Sequence, residues 1–150
     1  MQRFSAFVIV LATIGNFIMT PKAIAASNRS LTVTIGGLRN QKGQVCLSLF
    51  TQAQGFPTQP SLAVASRCVN AERTPIVVTF NNLNPGTYGI AMIHDENRDG
   101  KINTGFLGIP REGFGFSRNP NVTFSAPRFQ DAAISVMQQN TRTQIQVKYF

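Results

Sequence analysis

Apolar and polar residues alternate with period two through most of the chain beyond residue 30. Leu31, Val33 and Ile35 share one face of a first predicted strand, with Thr32 and Thr34 opposite, and Gly36-Gly37 ends it. Residues 40–43 read as a turn. Val45, Leu47 and Leu49 then face inward on a second strand. Cys46 falls on its other face, a position suited to a bridge to a covering segment. Residues 51–66 are irregular and rich in Gln, Pro and Ala, with one helical turn expected near 61–65. Residues 67–69 read as a short edge strand carrying Cys68. Residues 76–80 are β-branched and apolar, and Asn84-Pro85-Gly86 is a turn signal. The strand over 87–94 places Tyr88, Ile90 and Met92 on one face and Ala91 and Ile93 on the other. Apolar on both sides, it is expected at the centre of a sheet. Residues 95–121 show no sustained period and read as one long loop, a length that is usually functional or a sign of mis-assignment. Residues 132–137 and 143–149 supply two more strands, with Ile145, Val147 and Tyr149 on one face. About seven short strands and no long helix predict an all-β fold, an antiparallel β-sandwich.

The first 26 residues follow another pattern. Met1-Gln2-Arg3 is a short basic start, and residues 4–19 are apolar apart from Ser5, Thr13 and Asn16. Pro21 breaks the run, and Ala23-Ile24-Ala25 fits small-x-small signal cleavage. Cleavage is expected after Ala25, with Ala26 the second choice. The apolar run is shorter than the roughly 20 residues a spanning helix needs. The expected organisation is a signal peptide over 1–25 and one sandwich domain over 26–150, with no transmembrane segment left after cleavage. The expected location is periplasmic or extracellular.

Export changes the reading of composition. The chain carries +8, which becomes +6 when Arg3 and Lys22 leave with the signal. The remaining cations are scattered singly from Arg29 to Lys148, so nothing resembles a nucleic-acid-binding patch. Two cysteines in an exported chain, Cys46 and Cys68, predict a disulfide. Neither C-x-x-C spacing nor a neighbouring His points to redox or metal chemistry.

The sharpest chemical signal is His94-Asp95-Glu96-Asn97-Arg98-Asp99-Gly100-Lys101-Ile102-Asn103. Asp95, Asn97 and Asp99 match the D-x-[DN]-x-[DN]-G start of a calcium loop. Ca²⁺ takes six to eight oxygens, and alternate residues of a tight turn aim side-chain oxygens at one centre. The Lys101 carbonyl and the Asn103 side chain extend the set. The twelfth position, where an EF-hand has Glu, is Phe106, so this is not an EF-hand. Glu112 or Glu96 would supply the missing carboxylate, with an affinity of roughly 10⁻⁴ to 10⁻³ M. The competing reading is a metal-free turn whose carboxylates are neutralised by Arg98, Lys101 and Arg111. A third is a small hydrolase built on His94, the only histidine, and nearby carboxylates, although no nucleophile–base pair is visible.

Interleaved Gly and Phe follow in residues 106–117. Phe106, Arg111, Phe114 and Phe116 are candidates for a recognition loop, since aromatics and Arg dominate binding hot spots. The alternative is a loop pinned to the sandwich by its own Phe side chains.

The motifs from Asn84-Pro85-Gly86-Thr87-Tyr88 through His94-Asp95-Glu96-Asn97 to Gly108-Ile109-Pro110-Arg111-Glu112-Gly113-Phe114-Gly115-Phe116-Ser117 resemble an uncharacterised bacterial exported family, domain of unknown function 2141. The Pro-Gly-Thr-Tyr strand start also resembles transthyretin-like and carboxypeptidase-regulatory-like domains. The resemblance implies an immunoglobulin-like or prealbumin-like sandwich and brings no established activity. The expected function is a non-enzymatic envelope module that binds a protein, a glycan or a surface, with calcium as its only candidate cofactor.

Overall fold

A computed structural model describes residues 28–72, 74–123 and 125–150. The expected signal segment and its cleavage site lie outside the described residues.

The period-two runs become strands wherever one face finds an apolar partner. Among the described residues there are eight: β1 (Arg29–Gly36), β2 (Gln44–Phe50), β3 (Ala65–Asn70), β4 (Ile76–Leu83), β5 (Gly86–Asp95), β6 (Gly113–Phe116), β7 (Ile134–Val136) and β8 (Asn140–Gln146). One sheet runs β4-β1-β8. The other runs β3-β2-β5-β6, with β7 also pairing β5. The fold is an all-β sandwich. Its one departure from the antiparallel expectation is β1, which pairs β8 in parallel. A single helical turn, α1 (Phe129–Ala132), precedes β7. No helix among the described residues is long and apolar enough to cross a membrane.

The inward faces are those the alternation marks. Leu31, Val33, Ile35, Val45, Leu47, Leu49, Ile90, Met92 and Ile145 are buried between the sheets. Strand β5 is central, as its two apolar faces predict, with β2 on one side and β6 on the other. Its outward face meets a second core of Phe50, Ala91, Phe114, Phe116 and Ala132, covered by Phe56 and Phe129. Phe56 stacks edge-on against both Phe50 and Phe129.

Strand β6 is the main correction to the sequence reading, which placed these residues in a loop. Its sequence, Gly-Phe-Gly-Phe, alternates in size and not in polarity, and all four residues are buried. Phe114 and Phe116 enter the second core. The glycines sit where β8 and its continuation cross. A Cβ at Gly113 would lie 2.6 Å from Val147 Cγ1, and one at Gly115 2.5 Å from Ile145 Cγ2. Phe114 and Lys148 exchange backbone hydrogen bonds of 3.0 and 2.8 Å, so β6 links the two sheets. Ser117 then locks the end of β6. Its Oγ accepts the Ile90 amide at 2.9 Å and donates to the Ala132 carbonyl.

Cys46 and Cys68 form a disulfide. It does not reach a covering segment. The two residues face each other in register on neighbouring strands β2 and β3, and β3 is the predicted edge strand. The expected turn near 61–65 lies slightly earlier, at Pro60–Leu62.

Two outcomes follow. Gly115→Ala forces a methyl group into Ile145 and should cost about 1–3 kcal/mol in urea unfolding; an unchanged midpoint would show that β6 and β8 are not packed this closely. The Cys46→Ser/Cys68→Ser pair reopens a loop with a sequence separation of 22. It should lower stability by about 3 kcal/mol, read as a drop in melting temperature that reductant reproduces in the parent protein.

Candidate functional site

The candidate loop hangs from the end of the central strand. Asp95 is the last residue of β5 and is fully buried, opposite Gln44 of β2. The turn before β2 presses directly on it. Gly43 has φ +70, and a Cβ there would lie 2.0 Å from the Asp95 carbonyl oxygen and 2.6 Å from Glu96 Cα. Only glycine satisfies both the left-handed backbone and this approach.

The Asp95 carboxylate is held entirely by neutral donors. Oδ2 accepts the Gly100 amide and the Gln44 side-chain amide, both at 2.9 Å, and Oδ1 accepts the Asp99 amide at 3.2 Å. The turn repeats this on a smaller scale. Asn97 Oδ1 accepts the Asp99 amide at 3.2 Å, and Asp99 Oδ1 accepts the Lys101 amide at 2.9 Å. The Asn97 side-chain amide donates to Asp99 Oδ2 at 3.0 Å. These are the self-bonding turns that Asp and Asn favour, and Gly100 closes the reversal at φ +76.

Glu112, also buried, stands immediately before β6 and clamps the two ends of the loop together. Its Oε1 accepts the Glu96 amide at 2.9 Å and its Oε2 the Asn103 amide at 2.8 Å. Glu96 turns away and takes no part in this set. Arg39 pairs with it at 2.6 Å, and the Asn40 side chain donates to it at 2.9 Å. Of the two candidates for the missing carboxylate, Glu112 is therefore the one facing the loop.

The neutralisation by Arg98, Lys101 and Arg111 that the competing metal-free reading supposes is not found. Among the described residues, no cation forms an ion pair with Asp95, Asp99 or Glu112. Arg98 instead donates to Asn70 Oδ1 at 3.0 Å. One polar atom in the loop has no donor: Asn103 Oδ1 is buried and makes no hydrogen bond. Asn103, which extends the D-x-N-x-D-G set, is thus the candidate ligand whose side-chain oxygen is left over. At the same time, no three His, Cys, Asp or Glu side chains converge as a metal cluster among the described residues. An ion here would have to draw on the amide oxygens of Asn97 and Asn103 and the Lys101 carbonyl as well as carboxylates. Such an all-oxygen set suits a hard cation and no softer metal.

His94 is fully buried beside this site, with both ring nitrogens engaged. Nε2 lies 2.8 Å from the Lys42 carbonyl, which can only accept, so Nε2 carries a proton. Nδ1 lies 2.7 Å from the Tyr149 hydroxyl. That hydroxyl also accepts the Arg39 amide at 3.2 Å, and the Arg39 guanidinium stacks on the Tyr149 ring. Burial pushes the Tyr149 phenol up, which keeps its O–H available to His94.

The four candidates for a recognition loop are not brought together. Phe114 and Phe116 are pinned in the second core, whereas Phe106 is 84% exposed and Arg111 is exposed. Sequence reading missed the partners that seat the site: Arg39, Asn40, Gln44 and Tyr149. All four reach it from remote parts of the chain, and only the alternation that put Tyr149 on an inner face hinted at any of them.

Two carboxylates here respond to pH with a defined sign. Burial raises the Asp95 carboxyl, but hydrogen bonds from Gln44 and from the Gly100, Arg98 and Asp99 amides outweigh it and hold Asp95 below its ordinary value of 3.8. Burial likewise opposes, and Asn40 and Arg39 overcome it, for Glu96, below 4.5. A depressed carboxyl stabilises the fold fully above its unfolded value and loses that contribution as pH falls through the folded one. Stability should therefore be level from neutrality down to about pH 5 and fall below pH 4.5. Asp95→Asn should flatten that fall while costing about 1–3 kcal/mol at pH 7; equal acid slopes for parent and variant would refute this account of Asp95.

Compared with known proteins, residues 33–144 match the family described as an uncharacterised protein conserved in bacteria, domain of unknown function 2141. No curated protein and no solved structure matches the chain. With most of its length covered, the chain belongs to that family.

Proposed function

We propose that this member of the family is an exported, non-catalytic β-sandwich module of the cell envelope whose 95–103 loop is stabilised by Ca²⁺. The buried, donorless oxygen of Asn103 carries the reading. It belongs to a set in which Asp95, Asp99 and Glu112 also lack a cation among the described residues. Asp95 Oδ1, both Asp99 oxygens and both Glu112 oxygens each accept one amide and keep a lone pair for a second partner, whereas Asp95 Oδ2 is filled by Gly100 and Gln44. Glu112 closes the loop from outside the motif, the part that the twelfth residue plays in an EF-hand. Oxidising surroundings suit the Cys46–Cys68 bridge, and millimolar calcium outside the cytoplasm would fill a site of low affinity.

One observation favours the metal-free alternative. The amide ladder beneath Asp95, Asn97 and Asp99 already holds the turn shut. In that reading the same residues are purely structural. A hydrolase built on His94 draws no support from the geometry, because its ring is buried and both nitrogens are committed.

Calorimetric titration with a paired thermal melt separates the first two readings. With a dissociation constant of roughly 10⁻⁴ to 10⁻³ M, 10 mM Ca²⁺ should add about 1.4–2.7 kcal/mol of stability. That is a rise of several degrees in melting temperature, lost in Asn103→Ala and Asp99→Asn. No heat and no shift at 10 mM, or equal effects of both substitutions with and without Ca²⁺, would leave the structural reading standing.

A further inference from the structure

Between the candidate loop and β6 the chain projects a short finger that the proposed function does not use. Its two sides are joined by the bridge between Thr104 and Pro110, by the Gly105 amide donating to the Ile109 carbonyl at 2.7 Å, and by the Arg111 amide donating to the Asn103 carbonyl at 2.9 Å. Glu112 fixes the base through the Asn103 amide. The tip is a tight turn, Phe106–Gly108, in which Leu107 adopts a left-handed conformation at φ 58. For a non-glycine residue that conformation is costly.

The exposed side chains on this built tip are apolar. Phe106 is 84%, Leu107 81% and Ile109 50% exposed. Strand β6, which follows, buries Phe114 and Phe116, so the apolar residues on either side of Glu112 divide between solvent and core by position. Two cations stand near the base of the finger in sequence. The Arg111 side chain packs against Gly105, next to Phe106, and Lys101 stands exposed on the adjoining loop. Neither forms an ion pair among the described residues.

We propose that this finger docks the protein on an anionic phospholipid bilayer. Phe106, Leu107 and Ile109 enter the headgroup–acyl boundary while Arg111 and Lys101 meet the phosphates. Shape and area favour lipid over a protein partner. The three side chains offer on the order of 400 Å² on a convex tip, against about 800 Å² per partner in a specific protein interface. A bilayer yields to a small convex wedge, and basic residues beside an apolar one are the pattern of interfacial attachment. Without Arg3 and Lys22 the chain still carries +6, the matching sign. This inference goes beyond the calcium reading and does not rest on it.

The test is co-sedimentation of the mature chain with vesicles of phosphatidylcholine containing 30% phosphatidylglycerol, and with phosphatidylcholine alone, each with Ca²⁺ and with chelator. Binding to the anionic vesicles is expected in both conditions, weakened by 0.5 M salt. Phe106→Ser/Leu107→Ser should reduce the partition coefficient by ~10- to 100-fold, and Lys101→Gln/Arg111→Gln by ~30-fold. Both pairs are exposed, so an unchanged melting temperature confirms that folding is intact. The proposal is overturned if the parent chain does not bind, or if the Phe106/Leu107 pair binds as well as the parent. The second outcome would assign binding to diffuse positive charge. Loss of calcium binding with vesicle binding kept would sink only the loop reading.

Discussion

The approach of β6 to β8 is the constraint on which the rest of the site depends. β6 and the segment that continues β8 exchange backbone hydrogen bonds at Phe114 and Lys148. That is feasible only because Gly113 and Gly115 present no side chain to Val147 and Ile145. The same alternation sends Phe114 and Phe116 to the other face, where they found the second core. Fixing β6 fixes Glu112 just before it. Glu112 in turn holds Glu96 and Asn103, the two ends of the acidic loop and the base of the finger. One close contact therefore places three functional candidates at once.

Electrostatics at this end of the sandwich follow from which acids found cations. Glu96 is paired with Arg39 and belongs to a network with Tyr149 and His94. Asp95 and Glu112 are buried on amides alone. Amide donors satisfy hydrogen-bonding capacity but not charge. That uncompensated charge is what the calcium proposal rests on. The orphaned Asn103 oxygen lies in the same loop.

Local chemistry was legible to different degrees. The faces of β1, β2 and β5 could be read directly, because polarity alternates there and each strand buries one side or both. The pairing of Cys46 with Cys68 was legible from the even count, read with the expected export. Its cross-strand placement was not, since nothing local says which strand lies beside β2. Strand β6 escaped notice because polarity alternation is the usual signal and Gly-Phe-Gly-Phe alternates only in volume. Reading it as loop also merged Phe114 and Phe116 with Phe106, although the first two are buried and the third is on the fingertip.

The sequence by itself determined the sandwich class, most inward faces, the cysteine pair, the Asp95-x-Asn97-x-Asp99-Gly100 turn and membership signals for the family, because period-two burial and turn propensity are properties of neighbouring residues. Tertiary structure alone decided that β1 and β8 run parallel, that Gly43 and Gln44 seat Asp95, that Glu112 and not Glu96 faces the loop, and that among the described residues Arg98, Lys101 and Arg111 form no ion pair with Asp95, Asp99 or Glu112. These depend on registers between strands far apart in the chain. A carboxylate's partner is set by what the fold brings across to it, and no local pattern encodes that.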